Sequence, residues 1–209
     1  MNLKYLIFFF TSMLFISSCG DPVPQKLPIL GKKKMVDGQE VNHQIPDWKF
    51  MDQDSNMVTN QDLADVVYIT DVFFMSCPTI CPKTMREMKR IYTEFEENPQ
   101  VKLISFTIDP DRDSPAKLKE YAANLEVDTK KWWFLHGEKE ETYDLALDYF
   151  NTAYEDSDVP GGFNHSGKLI LTDKNGHIRS FSEGTDPDET PKLIKDIKTL
   201  LKEYDQSEK

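Results

Sequence analysis

The chain has 209 residues and a formal net charge of -11, a length that suits one domain with short extras. Apolar residues make up 39% of it, enough to close a core in a domain of this size. The acidic balance excludes a nucleic-acid partner, which needs basic surface to neutralise phosphates. It also argues against electrostatic docking on anionic lipid, and it is compatible with a protein partner that presents a basic patch.

Residues 1–18 differ from the rest. Lys4 supplies a positive start, and Leu6 to Phe15 is an apolar run broken only by Thr11 and Ser12. A spanning helix needs about 20 apolar residues; this run has the length and flanks of a secretory signal. It ends in Phe15-Ile16-Ser17-Ser18-Cys19-Gly20. That ending resembles a bacterial lipobox, with Ile16 where Leu is usual, and implies that Cys19 is acylated and becomes the mature N-terminus. The expectation is an exported protein, held to a bacterial membrane by lipid rather than by a span and facing the periplasm. With Cys19 assigned to lipid, Cys77 and Cys81 are the two remaining thiols. Two nearby thiols in an oxidising compartment form a disulfide, a metal site or a redox couple.

Residues 19–40 read as a flexible tether, with Pro22, Pro24, Pro28, the run Lys32-Lys33-Lys34 and no hydrophobic period. About twenty such residues have a mean span of roughly 25 Å. The folded domain is expected over 41–209. Ile45 to Met51 and Met57 to Thr59 flank a polar stretch and read as a hairpin, after which Thr59 or Asn60 caps a short helical turn. Val66 to Met75 is a continuous apolar run rich in β-branched and aromatic residues, the pattern of a strand buried on both faces. A helix is predicted over 78–97, with Met85, Met88, Ile91, Tyr92 and Phe95 on one stripe. Val101 to Ile108 is a second buried strand. Ser114-Pro115 opens a helix running to about Leu125. Trp132 to Leu135 is a short strand, Glu138 to Phe150 an amphipathic helix, and 151–164 a loop containing Pro160-Gly161-Gly162. Lys168 to Thr172 and His177 to Glu183 form a hairpin across Asn175-Gly176, and a last helix spans about Pro187 to Leu201. Strand and helix alternate, which implies an α/β fold with a largely parallel core. The topology is thioredoxin-like, with an N-terminal hairpin and insertions.

The segment with the most chemistry is Phe74-Met75-Ser76-Cys77-Pro78-Thr79-Ile80-Cys81-Pro82, at the junction of the buried strand and its helix. Unpaired N–H groups at a helix start favour a thiolate, which is both the nucleophile and the metal ligand. Three residues between the cysteines let the sulfurs close a disulfide or flank one metal ion. A purely structural disulfide is the bland alternative, and so short a loop stabilises little. Asp71 is the odd residue of the buried strand, six positions before Cys77. Thioredoxins carry a buried aspartate at that spacing, and the likeness implies a carboxyl of raised pKa that moves protons in disulfide exchange. Of the four histidines, His43, His136 and His177 read as edge or loop residues. His165 follows the Gly-rich loop, which in a thioredoxin-like fold returns beside the cysteines.

The CPTICP segment, Thr107-Ile108-Asp109-Pro110-Asp111-Arg112-Asp113, Asn164-His165-Ser166 and Asp173-Lys174-Asn175-Gly176 fall in order. Together they resemble the Sco/SenC family of copper chaperones, over about Ile45 to the last helix. The resemblance implies that Cys77, Cys81 and His165 bind one copper ion, Cu(I) or Cu(II). Soft thiolates suit Cu(I) and imidazole adds affinity for Cu(II), whereas structural zinc normally takes four ligands. The family often has Asp where Asn164 stands, and an acidic residue between the cysteines where this chain has Pro78-Thr79-Ile80. Asn164 would orient the imidazole without charge, and the lost carboxylates weaken Cu(II) more than Cu(I). Asp109, Asp111 and Asp113 do not fit a calcium loop. Asp109 is read as lying in a loop near the site, Arg112 as pairing locally, and Asp113 or Ser114 as capping the next helix.

The resemblance implies delivery of copper to the dinuclear centre of cytochrome c oxidase, with the copper-bearing oxidase subunit as partner and other copper chaperones or thioredoxin-like reductants beside it. The alternative is a thiol-disulfide oxidoreductase that reduces cysteines of an oxidase subunit or another exported protein. A copper or redox sensor is a third class. A peroxidase is weaker still, since no peroxiredoxin-type motif is present.

Overall fold

The computed structural model describes residues 26–207; the signal-like segment and Cys19 lie outside them. The first element is a hairpin of β1 (Lys34–Val36) and β2 (Gln39–Val41), with every strand residue exposed. Its turn is Asp37-Gly38, with φ of 50° and 80°, the positive pair that Asp-Gly adopts in tight hairpins. A second hairpin joins β3 (Lys49–Met51) to β4 (Met57–Thr59). A single helical turn, Asn60–Leu63, follows, and its Asp62 carboxylate accepts the Thr59 N–H at 2.8 Å.

The rest runs β5 (Val67–Phe73), α1 (Cys81–Phe95), β6 (Val101–Thr107), α2 (Pro115–Asn124), β7 (Trp132–Leu135), α3 (Lys139–Asp148), β8 (Ala153–Glu155), β9 (Phe163–His165), β10 (Lys168–Thr172), β11 (Ile178–Glu183) and α4 (Thr190–Ser207). One five-stranded sheet has the order β11-β10-β5-β6-β7. β5, β6 and β7 are parallel, while β10 is antiparallel to β5 and β11 to β10. All seven residues of β5 are buried, which is why its sequence shows no alternation. α1 lays Met85, Met88, Ile91, Tyr92 and Phe95 into the core and packs beside α4. An aromatic cluster of Trp48, Phe50, Phe106 and Tyr149 fills further core, its rings meeting at centroid distances of 5.1 to 5.9 Å. Each such side chain taken from water contributes about 1.5–3 kcal/mol.

Four expectations change. The helix predicted from residue 78 begins at Cys81, because residues 77–80 are spent on a turn in which the Cys77 N–H donates to the Phe74 carbonyl at 3.2 Å. Of the two prolines, only Pro82 lies in the first helical turn, where a missing N–H costs nothing. The loop expected over 151–164 contains β8 and β9, paired as Ala153↔His165, Tyr154↔Asn164 and Glu155↔Phe163. The last helix continues to Ser207. The tether expected up to residue 40 is interrupted by structure. Beyond the 34–41 hairpin, the Leu30 N–H donates to the Ile178 carbonyl at 2.8 Å, and Arg179 donates to the carbonyls of Leu27 at 2.6 Å and Pro28 at 3.2 Å. Arg179 is also paired with Asp173 at 3.0 Å and Glu203 at 2.7 Å, so residues 27–30 are clasped onto the domain.

Candidate metal centre

The cysteines are placed by the β5–α1 connection. After Phe73 the chain turns, Cys77 is buried in that turn, and Cys81 is the first residue of α1. His165 is the last residue of β9. It is held from below by Ser166, whose N–H donates to the Thr152 carbonyl at 3.1 Å and whose Oγ donates to Asn151 Oδ1 at 2.6 Å.

The hairpin brings the imidazole over the two sulfurs. His165 Nε2 is 3.3 Å from Cys81 Sγ and 3.9 Å from Cys77 Sγ. The three ligand atoms lie within 4.8 Å of one another. Bonds of about 2.3 Å to sulfur put donors in a three-ligand set roughly 4 Å apart, so shifts of under about 1 Å let the three atoms share one ion. Cys77, Cys81 and His165 are 7%, 4% and 7% exposed. Among the described residues they are the one group of three His, Cys, Asp or Glu side chains arranged this way.

The three donors differ electrostatically. Burial pushes the Cys77 thiol up, but backbone N–H groups of Cys81 and Thr79 outweigh it and hold it below its ordinary value. Burial pushes the Cys81 thiol far up, and the nearby Cys77 and Asp71 add to the rise. The helix start therefore favours a thiolate at Cys77 and not at Cys81, contrary to the even-handed expectation. Burial lowers the His165 pKa, against a smaller opposing effect of the Ser166 carbonyl. That carbonyl lies 3.1 Å from Nδ1 and can only accept, so the neutral ring carries its proton on Nδ1. Its Nε2 lone pair faces the sulfurs.

Asp71 lies inside β5, 1% exposed. Its Oδ1 accepts from Ser105 Oγ at 2.5 Å, Ser105 Oγ in turn accepts from Trp132 Nε1 at 2.8 Å, and Oδ2 has no partner. Burial, opposed by the Ser105 bond, pushes its pKa up to about 7.

Asn164 is not the residue that orients the imidazole. Neighbours on a strand point to opposite faces, and the Nδ1 partner is the Ser166 carbonyl. Asp109 is buried and ion-paired with Arg112, and it reaches the β8–β9 hairpin through that arginine, which donates to the Gly161 carbonyl. Asp113 does not cap α2. Its Oδ2 accepts the Met75 N–H at 3.0 Å and the Thr107 hydroxyl at 2.7 Å, locking the cysteine turn to β6. Ser114 occupies the capping position, without a side-chain bond. His43 is buried rather than at an edge, with Nε2 2.8 Å from the Asp148 carbonyl. Two participants escaped the sequence reading. Phe74 meets the His165 ring edge-on at 5.6 Å. Gly161, with φ of 94°, lies so close to Phe74 that a Cβ there would come within 2.9 Å of its ring.

A thioredoxin-like α/β domain with a buried Cys-Cys-His triad at the start of its first long helix defines a class of thiol-based metal and redox proteins. Within that class the SCO1/SenC family model matches residues 36–202, and the chain belongs to that family. The SCO1 protein homolog of Bacillus subtilis (strain 168) is 28% identical over 168 residues, covering 78% of this chain and 87% of that one. A SCO1/SenC family lipoprotein from Bacillus anthracis superposes with a TM-score of 0.70 at 27% identity, covering 77% of this chain and 96% of that one. BsSco is described as a member of the Sco family of cytochrome c oxidase assembly proteins in which a disulfide switch was identified. It superposes with a TM-score of 0.70 at 26% identity, covering 84% and 98%.

Proposed function

We propose that this chain is a copper metallochaperone that takes part in assembling cytochrome c oxidase, binding one copper ion through Cys77, Cys81 and His165. The observation that carries this reading is the convergence of the three donors within 4.8 Å. Two thiolates and one imidazole suit Cu(I) and accept Cu(II), and a set of three leaves a position where an incoming ligand from an acceptor starts the exchange. The structure of yeast Sco1 with copper bound shares this fold; the choice of copper here rests on this chain's own donors and family. The acceptor in this reading is the copper-bearing subunit of the oxidase. The lipid on Cys19 and a periplasmic location belong to the same proposal, and the likeness to a family lipoprotein supports them.

A second reading is favoured by the asymmetry of the cysteines. The lowered thiol of Cys77 suits attack on a partner's disulfide, giving a mixed disulfide and releasing one partner thiol. Cys81 then gives up its proton and attacks Cys77, releasing the second partner thiol and leaving Cys77–Cys81 oxidised by two electrons. Asp71 is proposed as the base that takes the Cys81 proton, since its pKa is about 7 and the two groups feel each other's charge. A thioredoxin-like reductant would reset the pair.

Anaerobic copper titration of the reduced protein, beside Cys77→Ser and His165→Ala, separates the two. One copper per chain, lost in the first variant and weakened in the second, supports the chaperone. No tight copper binding, with a disulfide that cycles readily, supports the oxidoreductase.

A further inference from the structure

The metal site stands on two separate supports. The cysteines belong to the β5–α1 turn, which Asp113 locks in place. His165 belongs to the β8–β9 hairpin, which has only three residue pairs. So short a ribbon is marginal by itself, and its base at Asn151, Thr152 and Ser166 fixes one end only. The turn between β6 and α2 holds the other end, chiefly through Arg112.

Arg112 makes three contacts at once. Its Nε pairs with Asp109, a carboxylate 3% exposed. Its Nη2 donates to the Gly161 carbonyl at 3.1 Å. Its guanidinium lies over the Phe163 ring, 5.4 Å from the centroid. The packing continues inward, since Phe163 lies against Phe74 at 5.1 Å and Phe74 meets the imidazole at 5.6 Å. Gly161 presses on that same Phe74 ring. A planar fork that stacks and donates in two directions makes this set of contacts, and a point charge such as Lys does not. Lys139 bridges the same two segments, to Asp111 at 2.9 Å and Glu155 at 2.7 Å, but both carboxylates are exposed and such pairs contribute little.

We infer that Arg112 is a positioning residue for His165: by holding the hairpin tip against Phe74, it sets whether the imidazole joins the two thiolates and so separates three-donor from two-donor metal binding. The inference rests on the copper reading only for its metal probe. Two thiolates satisfy Cu(I), whereas Cu(II) draws on imidazole, so loosening the hairpin falls on Cu(II).

The test uses the full-length chain in detergent, as parent, Arg112→Ala, Arg112→Lys, His165→Ala and the Arg112→Ala/His165→Ala double variant. Cu(II) and Cu(I) affinities are measured by competition, with electron paramagnetic resonance of the Cu(II) form. Arg112→Ala is expected to weaken Cu(II) about tenfold, the low end for residues that support a metal ligand, and to diminish the nitrogen hyperfine signal. Cu(I) affinity should hold within a factor of about three. In the His165→Ala background the arginine change should add nothing, and Arg112→Lys should fall between parent and Ala. Equal losses for both oxidation states, a further loss without His165, or unchanged Cu(II) binding would each overturn the inference. A second measurement needs no metal. Amide exchange at Tyr154 and Asn164 should speed up in Arg112→Ala while that of Leu169 to Leu171 stays the same. Unchanged exchange refutes the positioning role even where copper binds. Faster exchange in a chain whose parent binds no copper overturns the copper reading and leaves the positioning role standing.

Discussion

Asp71 is the side chain that works hardest against the fold. Its carboxyl titrates near 3.9 in an unfolded chain and near 7 in the folded one. Between those values the folded chain holds a proton that the unfolded chain has released, so stability falls as pH rises from about 4 to about 7, by up to roughly 4 kcal/mol. Asp71→Asn stays neutral throughout, so the variant should gain on the parent in urea unfolding at pH 8 far more than at pH 4.5. An Asn variant no more stable than the parent at pH 8 would mean the carboxylate is compensated. The same change should slow disulfide exchange by about 100-fold, the low end for a positioned proton-transfer group, while the copper stoichiometry holds; equal exchange rates would remove Asp71 from the mechanism. Gly161→Ala introduces a Cβ 2.9 Å from the Phe74 ring at a φ of 94°. A loss of about 1–3 kcal/mol of stability is expected, with weaker copper binding, read by thermal unfolding and metal competition. Asp71 was legible because a lone acid interrupts an apolar strand. The orienting of the imidazole by Ser166 was not, because the group facing Nδ1 is a backbone carbonyl, which carries no side-chain signal.

Among the elements, β5, β6 and β7 were legible because strands buried on both faces are apolar at most positions and show no alternation. The start of α1 was misplaced because Pro78 and Pro82 both look like first-turn prolines, and only the hydrogen bond from Cys77 to Phe74 shows that the first of them belongs to a turn. The β8–β9 hairpin was hidden because Asn151 to His165 is rich in Asp, Gly and Pro and its strands are three residues long. A ribbon held by contacts to another turn leaves no period to read. The clasp over residues 27–30 was equally silent, since it is docked mainly through backbone N–H and carbonyl groups, and two leucines packed on the core, Leu27 and Leu30, make no period. Its physical basis is Arg179, whose side chain is 9% exposed while those of Asp173 and Glu203 are 2% and 10% exposed. Removing one member of a buried ionic group leaves the others uncompensated. Arg179→Met should therefore cost about 3 kcal/mol in urea unfolding, and trypsin should cut after Lys26 or Lys32 faster than in the parent. Unchanged cleavage would show that the segment is held by something other than this arginine.

At the scale of the whole molecule, the clasp fixes where the chain leaves the domain. Leu30 bonds to Ile178, Ile178 pairs with Thr172, and Thr172 pairs with Tyr68 at the start of β5. The cysteines follow Phe73 at the other end of that strand, roughly 17 Å away at 3.3 Å per residue. The clasp and the metal site therefore sit at opposite ends of the sheet. From Cys19 to Leu27 the chain can reach no more than about 29 Å. With a lipid on Cys19, as proposed above, the clasp end would be kept near the bilayer and the triad turned away from it, towards the water-exposed part of a membrane-bound acceptor. Exposed Asn175, in the β10–β11 turn, and exposed Asp158, in the β8–β9 turn whose Gly161 lies against Phe74, report the two ends. Single labels on Asn175→Cys and Asp158→Cys, in a Cys77→Ser/Cys81→Ser background of the lipidated protein, should respond differently to a quencher in the lipid headgroups. Strong quenching is expected at 175 and weak quenching at 158. The reverse order would place the metal site against the membrane, and equal quenching would mean that the clasp does not set the orientation. Adding Arg179→Met frees residues 27–30, lengthens the tether and should bring the two labels closer to equality.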